Sequence, residues 1–276
     1  FEINISGGND TPTISDPSAQ TVTEDTSLVF SSGNGNQITV GDVDAFGADL
    51  VTTIQVVGGN GTLTLGGVTG LNFSTGDGTG DGTMTFTGTI AEINAAIATL
   101  TFAPDANFNG SETIRITLND QGNTGTDPGT TGDANSEEAT VDIPVTVSPA
   151  TDAPTLGAAF SGTTAEDTNL AGINLTTGAG DIDGGTGAND GQIASYTVTN
   201  LPPASSGVLY LADGTTAVST STPLTPAQAA SLVFDPAPNF NGGPVNFTYV
   251  ATDSDGVASA SRDGAITVTP VNDTPT

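Results

Sequence analysis

Two short phrases place a pair of aspartates one residue apart: Asp42-Val43-Asp44 in VGDVDAFG (40–47) and Asp181-Ile182-Asp183 in AGDIDGGTG (179–187). An Asp-x-Asp in a loop presents both carboxylates on one side of an extended backbone, where a single hard cation can collect them. Ca2+ takes six to eight such oxygens from carboxylates and carbonyls. Other oxygen donors recur around these pairs. Glu24-Asp25 in TVTEDTSL (21–28) answers to Glu166-Asp167 in TTAEDTNL (163–170). Asp120 in TIRITLNDQG (113–122) answers to Asp253 in VNFTYVATDSDG (245–256). Asn9-Asp10 in GNDTPT, Asp152 in ATDAPT and Asn272-Asp273 in VNDTPT form a third set.

The missing residue types narrow the chemistry. With no Cys and no His, thiol nucleophiles, Ser-His-Asp triads and zinc sites of the usual ligand set are excluded. No Lys excludes Schiff-base chemistry and Lys-Asn isopeptide crosslinks. The 31 acidic residues face only two basic ones, Arg115 and Arg262, for a net charge of -29. No basic patch for a phosphate backbone can be built from two arginines, so nucleic acid is not an expected partner. No apolar run of about 20 residues and no secretory h-region occurs, so direct membrane insertion is not expected either. Because the first residue is Phe1 rather than an initiator Met, the chain is expected to be a section of something longer.

Such charge with few aromatics could describe a disordered chain. Against that, the apolar residues fall in short periodic runs, TLTL, TMTF, TIRITL and NFTYV, separated by turn residues, which is an all-β pattern. Order is therefore expected to depend on something that neutralises the carboxylates.

The positioning elements come into view through an internal repeat. NDTPT at 9–13, TDAPT at 151–155 and NDTPT at 272–276 delimit two units, and FAPDANFNG (102–110) answers to FDPAPNFNG (234–242) in the same order. The expected division is residues 1–8 as the last strand of a preceding copy, 9–150 as the first repeat, and 151–276 as the second repeat ending in a further linker. About seven strands are expected in the first unit, near Pro12–Ile14, Ser27–Phe30, Leu50–Val57, Thr62–Leu65, Thr83–Thr87, Thr113–Leu118 and Thr140–Val147. One short helix is expected per unit. TIAEINAAIATL has Thr89 and Glu92 at capping-box spacing, with Ile93, Ile97 and Leu100 on one face. LTPAQAASLVF has Thr225 as N-cap and Pro226 at the first helical position. Strands at this spacing point to an immunoglobulin-like β-sandwich.

The stretch TYVATDSDGVASASRDGAITVTPVNDTPT resembles the end of a cadherin-type repeat, a strand running into Ala-x-Asp-x-Gly, then a final strand and an Asn-Asp linker. The fuller set (EDT, Asp-x-Asp, NFNG, and the NDTPT junction) is similar to cadherin-like tandem repeats of giant bacterial RTX-type surface adhesins. The resemblance spans both units almost end to end. It implies two tandem cadherin-like (Ig-like) β-sandwich domains arranged end to end, with Ca2+ at the junctions. The central junction would draw on Glu24, Asp25, Asp152, Asp181, Asp183 and Asp253. Asn9, Asp10, Asp42, Asp44 and Asp120 would form one half-site at the N-terminal side, and Glu166, Asp167, Asn272 and Asp273 another at the C-terminal side. Asp105 stands where cadherins carry an acidic phrase and is a weaker member of the set. The middle linker departs from the pattern, with Thr151 where the other two have Asn.

Bland readings stand beside these. Asp25 is equally a local turn cap. DGTGDGT (77–83) reads as a hairpin turn, DIDGGTGANDG (181–191) lacks the closing Glu of an EF-hand, and Phe108 and Phe240 read as core. The implied function is a non-catalytic structural extender of a secreted bacterial surface adhesin, its partners being neighbouring repeats and, through other domains, cell-surface or matrix ligands. The alternatives are a Ca2+-dependent lectin-like module and a subunit of an extracellular filament or surface layer. A two-carboxylate glycoside hydrolase is disfavoured because the notable acids repeat by copy.

Overall fold

The computed structural model describes residues 8–122, 136–182 and 192–272. The chain divides into two compact units, Phe1–Ala150 and Thr151–Thr276.

In unit 1 the strands are β1 (Thr13–Ile14), β2 (Gln20–Thr23), β3 (Leu28–Phe30), β4 (Val40–Gly41), β5 (Asp49–Val56), β6 (Gly61–Thr64), β7 (Asn72–Thr75), β8 (Thr83–Thr89), β9 (Leu100–Pro104), β10 (Gly110–Asn119) and β11 (Glu138–Ser148), with helix α1 (Ile90–Ile97) between β8 and β9. They form a six-stranded sheet in the order β2-β11-β10-β5-β8-β7 and a three-stranded sheet β3-β9-β6, while β1 pairs with β4. Alternation explains the strands. In β10, Ile114, Ile116 and Leu118 are fully buried, while Thr113, Arg115 and Thr117 lie on the other face. Phe30 and Phe102 from the small sheet meet Ile54, Phe86 and Ile116 from the large one in a single core. Each such side chain contributes about 2 kcal/mol on burial.

In unit 2 the strands are β12 (Phe160–Ala165), β13 (Leu170–Ile173), β14 (Ile193–Asn200), β15 (Gly207–Tyr210), β16 (Leu232–Pro236), β17 (Gly242–Asp253) and β18 (Arg262–Thr269), with the one-turn helix α2 (Pro226–Ala229). The sheets are β12-β18-β17-β14 and β13-β16-β15. Tyr196, Phe234, Phe247, Tyr249 and Ile266 fill the core.

The architecture is all-β, as expected. In each unit an early strand runs parallel to the last one, β2 with β11 and β12 with β18, while the other pairings between named strands are antiparallel. Two packed sheets in this order make an immunoglobulin-like sandwich. Both helices form at the expected caps. Thr89 Oγ1 accepts the Glu92 N–H and Glu92 returns a bond to the Thr89 N–H; Thr225 and Gln228 repeat the box. Leu100 belongs to β9 rather than the helical face.

Candidate metal centre

Paired strands, braced by helix α1, hold the acids in place. Strands β10 and β11 of unit 1 are antiparallel over Gly110–Asn119, so Asp120 and Glu137 sit together at one end, and Ser148 lies by Gly110 at the other. The first is the end where the linker residues Asn9 and Asp10 enter; the second is where Ala150 leaves.

At the entry end, β1 leads in from the linker and is tied to β4, with Thr13 Oγ1 donating to the Gly41 carbonyl at 3.0 Å. Helix α1 anchors the other side of β4. Asn94 accepts the Val40 N–H at 2.9 Å and donates to the Val40 carbonyl at 2.8 Å. The next residues are the Asp-x-Asp pair. Asp42 Oδ1 accepts the N–H groups of Asp44 and Ala45, and Asp44 Oδ2 accepts that of Asp10 at 3.2 Å. Asp120 Oδ1 accepts from Gly122 and Glu137, and its Oδ2 accepts the Asn9 side-chain N–H at 2.6 Å.

The electrostatics of this end are unfavourable to bare charge. Asp42 Oδ2 is buried without a hydrogen-bond partner. Burial, the adjoining Asp44 carboxylate and the charge of Asp120 push the Asp42 carboxyl up to about 6, although the Asp44 N–H opposes them. Two carboxylates facing each other can bond only if one holds a proton or a cation lies between them. The two arginines bond elsewhere: Arg115 with Asp142 on the outer face of β10 and β11, Arg262 with the Leu156 carbonyl.

Unit 2 repeats the construction. Thr155 bridges Gly180 as Thr13 does Gly41, and places Asp181 next in the chain. Asp253 Oδ1 accepts the N–H groups of Asp255 and Val257, and Oδ2 is buried without a hydrogen-bond partner in a residue only 3% exposed. Asp152 is half-buried. Asp183 and Asp273 lie outside the described residues.

The exit ends differ in kind. Glu24, 2% exposed, accepts the backbone N–H of Ala150 at 2.7 Å and the side chain of Asn109 at 3.3 Å. Glu166 does the same with Val271 at 2.6 Å and Asn241 at 3.0 Å, and these bonds hold its carboxyl below the usual range. Asp25 and Asp167 adopt left-handed backbone and accept the N–H groups of Asn107 and Asn239. The EDT and NFNG phrases are therefore two halves of one fastening, and the cap of Asp25 is long-range rather than local. Asp105 is an exposed turn residue and Asn272 is exposed beyond Val271.

The structure thus gathers Asn9, Asp10, Asp42, Asp44 and Asp120 at one end of unit 1. Among the described residues, no group of three or more acids is drawn tightly enough to hold a metal ion by itself. What fits a hard cation is the all-oxygen donor set and the two buried oxygens, Asp42 Oδ2 and Asp253 Oδ2, that no donor reaches.

One residue at the entry end escaped the sequence reading. Glu137 is fully buried, accepts from Thr11 Oγ1 at 3.1 Å and donates its N–H to Asp120. SEEAT has no counterpart in unit 2, where Val257 fills the same backbone role, so the repeat gave no signal.

No family model matches the chain, and no curated protein does. Similar solved structures include the EC1-2 fragment of chicken VE-cadherin (12% identity, 92% of this chain and 98% of that one, TM-score 0.33) and the human desmocollin-1 ectodomain (12%, 95% and 42%, TM-score 0.32). An endo-fucoidan hydrolase of glycoside hydrolase family 107 is similar at 16% identity with a TM-score of 0.27, and the chain spans 29% of its length. At such TM-scores these likenesses assign no family; each unit is an immunoglobulin-like sandwich by its own strand order.

Proposed function

We propose that this chain is two non-catalytic repeats of an extracellular adhesion array, an extender of a large secreted bacterial surface adhesin whose unit boundaries are stiffened by Ca2+. The observation that carries the reading is a pair of buried carboxylate oxygens, Asp42 Oδ2 and Asp253 Oδ2, each without a donor and each at the end of its unit where a linker enters. Asp10, Asp42 and Asp44 would hold the ion in unit 1, and Asp152, Asp181 and Asp253 in unit 2, with backbone carbonyls filling the shell. Bound Ca2+ supplies positive charge where the chain offers none. The protein's own part is to set the acids on paired strands, leave Asp42 Oδ2 and Asp253 Oδ2 without a donor and hold the linker at the exit end through Glu24 and Glu166.

A lectin-like role finds less support, because Tyr196 and Tyr249, the largest candidate sugar platforms, are core residues 2% exposed. Small-angle scattering and thermal melts of the whole chain test the proposal. Ca2+ is expected to raise the melting temperature and narrow the distribution of shapes, and EDTA to reverse both; identical curves in Ca2+ and EDTA would overturn it.

A further inference from the structure

The entry ends of the two units share one backbone plan, and besides Glu137 they differ at the residue before the linker aspartate. In unit 1, Asp120 is 1% exposed and both its oxygens have protein donors: the N–H groups of Gly122 and Glu137 on Oδ1, and the Asn9 side chain on Oδ2 at 2.6 Å. Asn9 is itself buried, 4% exposed. In unit 2, Asp253 is the counterpart of Asp120. It is equally buried, and its Oδ1 is held by two N–H groups in the same pattern, from Asp255 and Val257.

The counterpart of Asn9 follows from the backbone. Thr13 pairs with Gly41 and Thr155 with Gly180, and four residues back from each threonine stand Asn9 and Thr151. Thr151 is exposed and its hydroxyl sits on a shorter side chain than a carboxamide. Asp253 Oδ2 is left without a hydrogen-bond partner. A buried anionic oxygen that no protein group answers persists only where a cation or a proton reaches it.

We propose that the residue before the linker aspartate decides how this carboxylate is neutralised. Asn9 answers Asp120 with protein, so the entry end of unit 1 closes around that oxygen with no ion on it. Thr151 leaves Asp253 open to a divalent hard cation, making unit 2 the more calcium-dependent of the two. The single Asn-to-Thr exchange is then a specificity device. This rests on the calcium reading above.

The chain carries its own reporter, since all three tyrosines, Tyr196, Tyr210 and Tyr249, lie in unit 2 and there is no tryptophan. Tyrosine fluorescence of the whole chain therefore follows unit 2 alone. The probe is CaCl2 added to chelator-stripped protein. Thr151→Asn is expected to raise the melting temperature of unit 2 in EDTA by a few degrees. It is also expected to weaken the calcium response of unit 2 about tenfold. Thr151→Ser, which cannot reach Asp253, is expected to behave as the wild type and separates the effect from general perturbation. If wild-type unit 2 responds to Ca2+ and Thr151→Asn leaves that response unchanged, or if Thr151→Ser matches Thr151→Asn, the inference is overturned while the calcium reading stands. If wild-type unit 2 ignores Ca2+, the calcium reading falls and the inference with it.

Discussion

Glu24 accepts the backbone N–H of Ala150 at 2.7 Å, and that bond extends the parallel β2–β11 pairing onto the outgoing chain of unit 1. Glu166 and Val271 repeat it at 2.6 Å. Because Asn109 and Asn241 take the second oxygen in each case, the glutamates are satisfied by protein alone. Glu24→Ala would leave the Ala150 N–H and the Asn109 side chain without their acceptor. It is expected to cost unit 1 about 2 kcal/mol in a urea melt and to release the Ala150 amide to hydrogen exchange. Unchanged protection of that amide would argue against the fastening.

Glu112, the third residue of β10, is a further buried carboxylate, 4% exposed. It accepts the N–H groups of Gly58 at 2.6 Å, Asn60 at 3.1 Å and Thr113 at 2.7 Å, with the Asn60 side chain as a fourth donor. Burial pushes its carboxyl up, but these donors outweigh it and the net direction is down. Glu112→Ala is expected to destabilise unit 1 by about 3 kcal/mol, seen as a shift of the urea midpoint. The unit 2 melt followed by tyrosine fluorescence should stay in place.

Acidity separates the two kinds of carboxylate. In EDTA, folded Asp42 keeps its proton up to about 6, whereas its ordinary value is 3.8. A raised folded value means the contribution is full below the ordinary value and is lost as pH rises through the folded one. Metal-free unit 1 is therefore expected to lose stability between about pH 4 and pH 6, by an amount on the order of 1 kcal/mol after allowing for solvent screening. Asp42→Asn should remove that slope, and calorimetric melts of the two proteins across this range compare them directly. Parallel pH profiles would contradict the assignment.

Gly207 begins β15 with φ 145°, and a Cβ there would stand 2.4 Å from the Asp235 carbonyl oxygen and 2.5 Å from the Phe234 ring. Gly61 occupies the same place in unit 1, against Ala103 and Phe102. Gly207→Ala is expected to lower the stability of unit 2 by about 3 kcal/mol, with tyrosine fluorescence as the readout. A wild-type midpoint would show that the β15–β16 contact is looser than described.

The short periodic apolar runs carried the all-β fold, and the order of the repeated phrases pointed to the recurring acids. TIRITL alternates so regularly that the middle of β10 could be placed, although the strand starts earlier, at Gly110, and Thr89 with Glu92 announced α1. Four strands of unit 1 went unread for identifiable reasons. The strand β2, QTVT, buries only Val22 and draws its pairing from distant β11, so no local alternation reveals it. The strand β4 is two residues long, β7 is an exposed edge, and β9 follows the helix so closely that Leu100 read as part of it. At the site, the roles of Glu24 and Asp25 were hidden because their partners, Asn109 and Asn107, lie more than 80 residues away. Glu137 was hidden because it occurs in one copy only.

Under the proposal calcium neutralises the carboxylates of Asp42 and Asp253, and unit 2 gives the cleanest view of it. The measurement is the tyrosine-fluorescence melt of the wild-type chain and of Asp253→Asn, each in EDTA and in saturating CaCl2. Asparagine keeps the Oδ1 that accepts the Asp255 and Val257 N–H groups and removes the charge from Oδ2. Calcium at about a hundred times its dissociation constant should add roughly 2.7 kcal/mol to wild-type unit 2. The same addition should move Asp253→Asn little or not at all. A wild-type midpoint that is the same in EDTA and in CaCl2, or an equal shift in Asp253→Asn, would contradict the account.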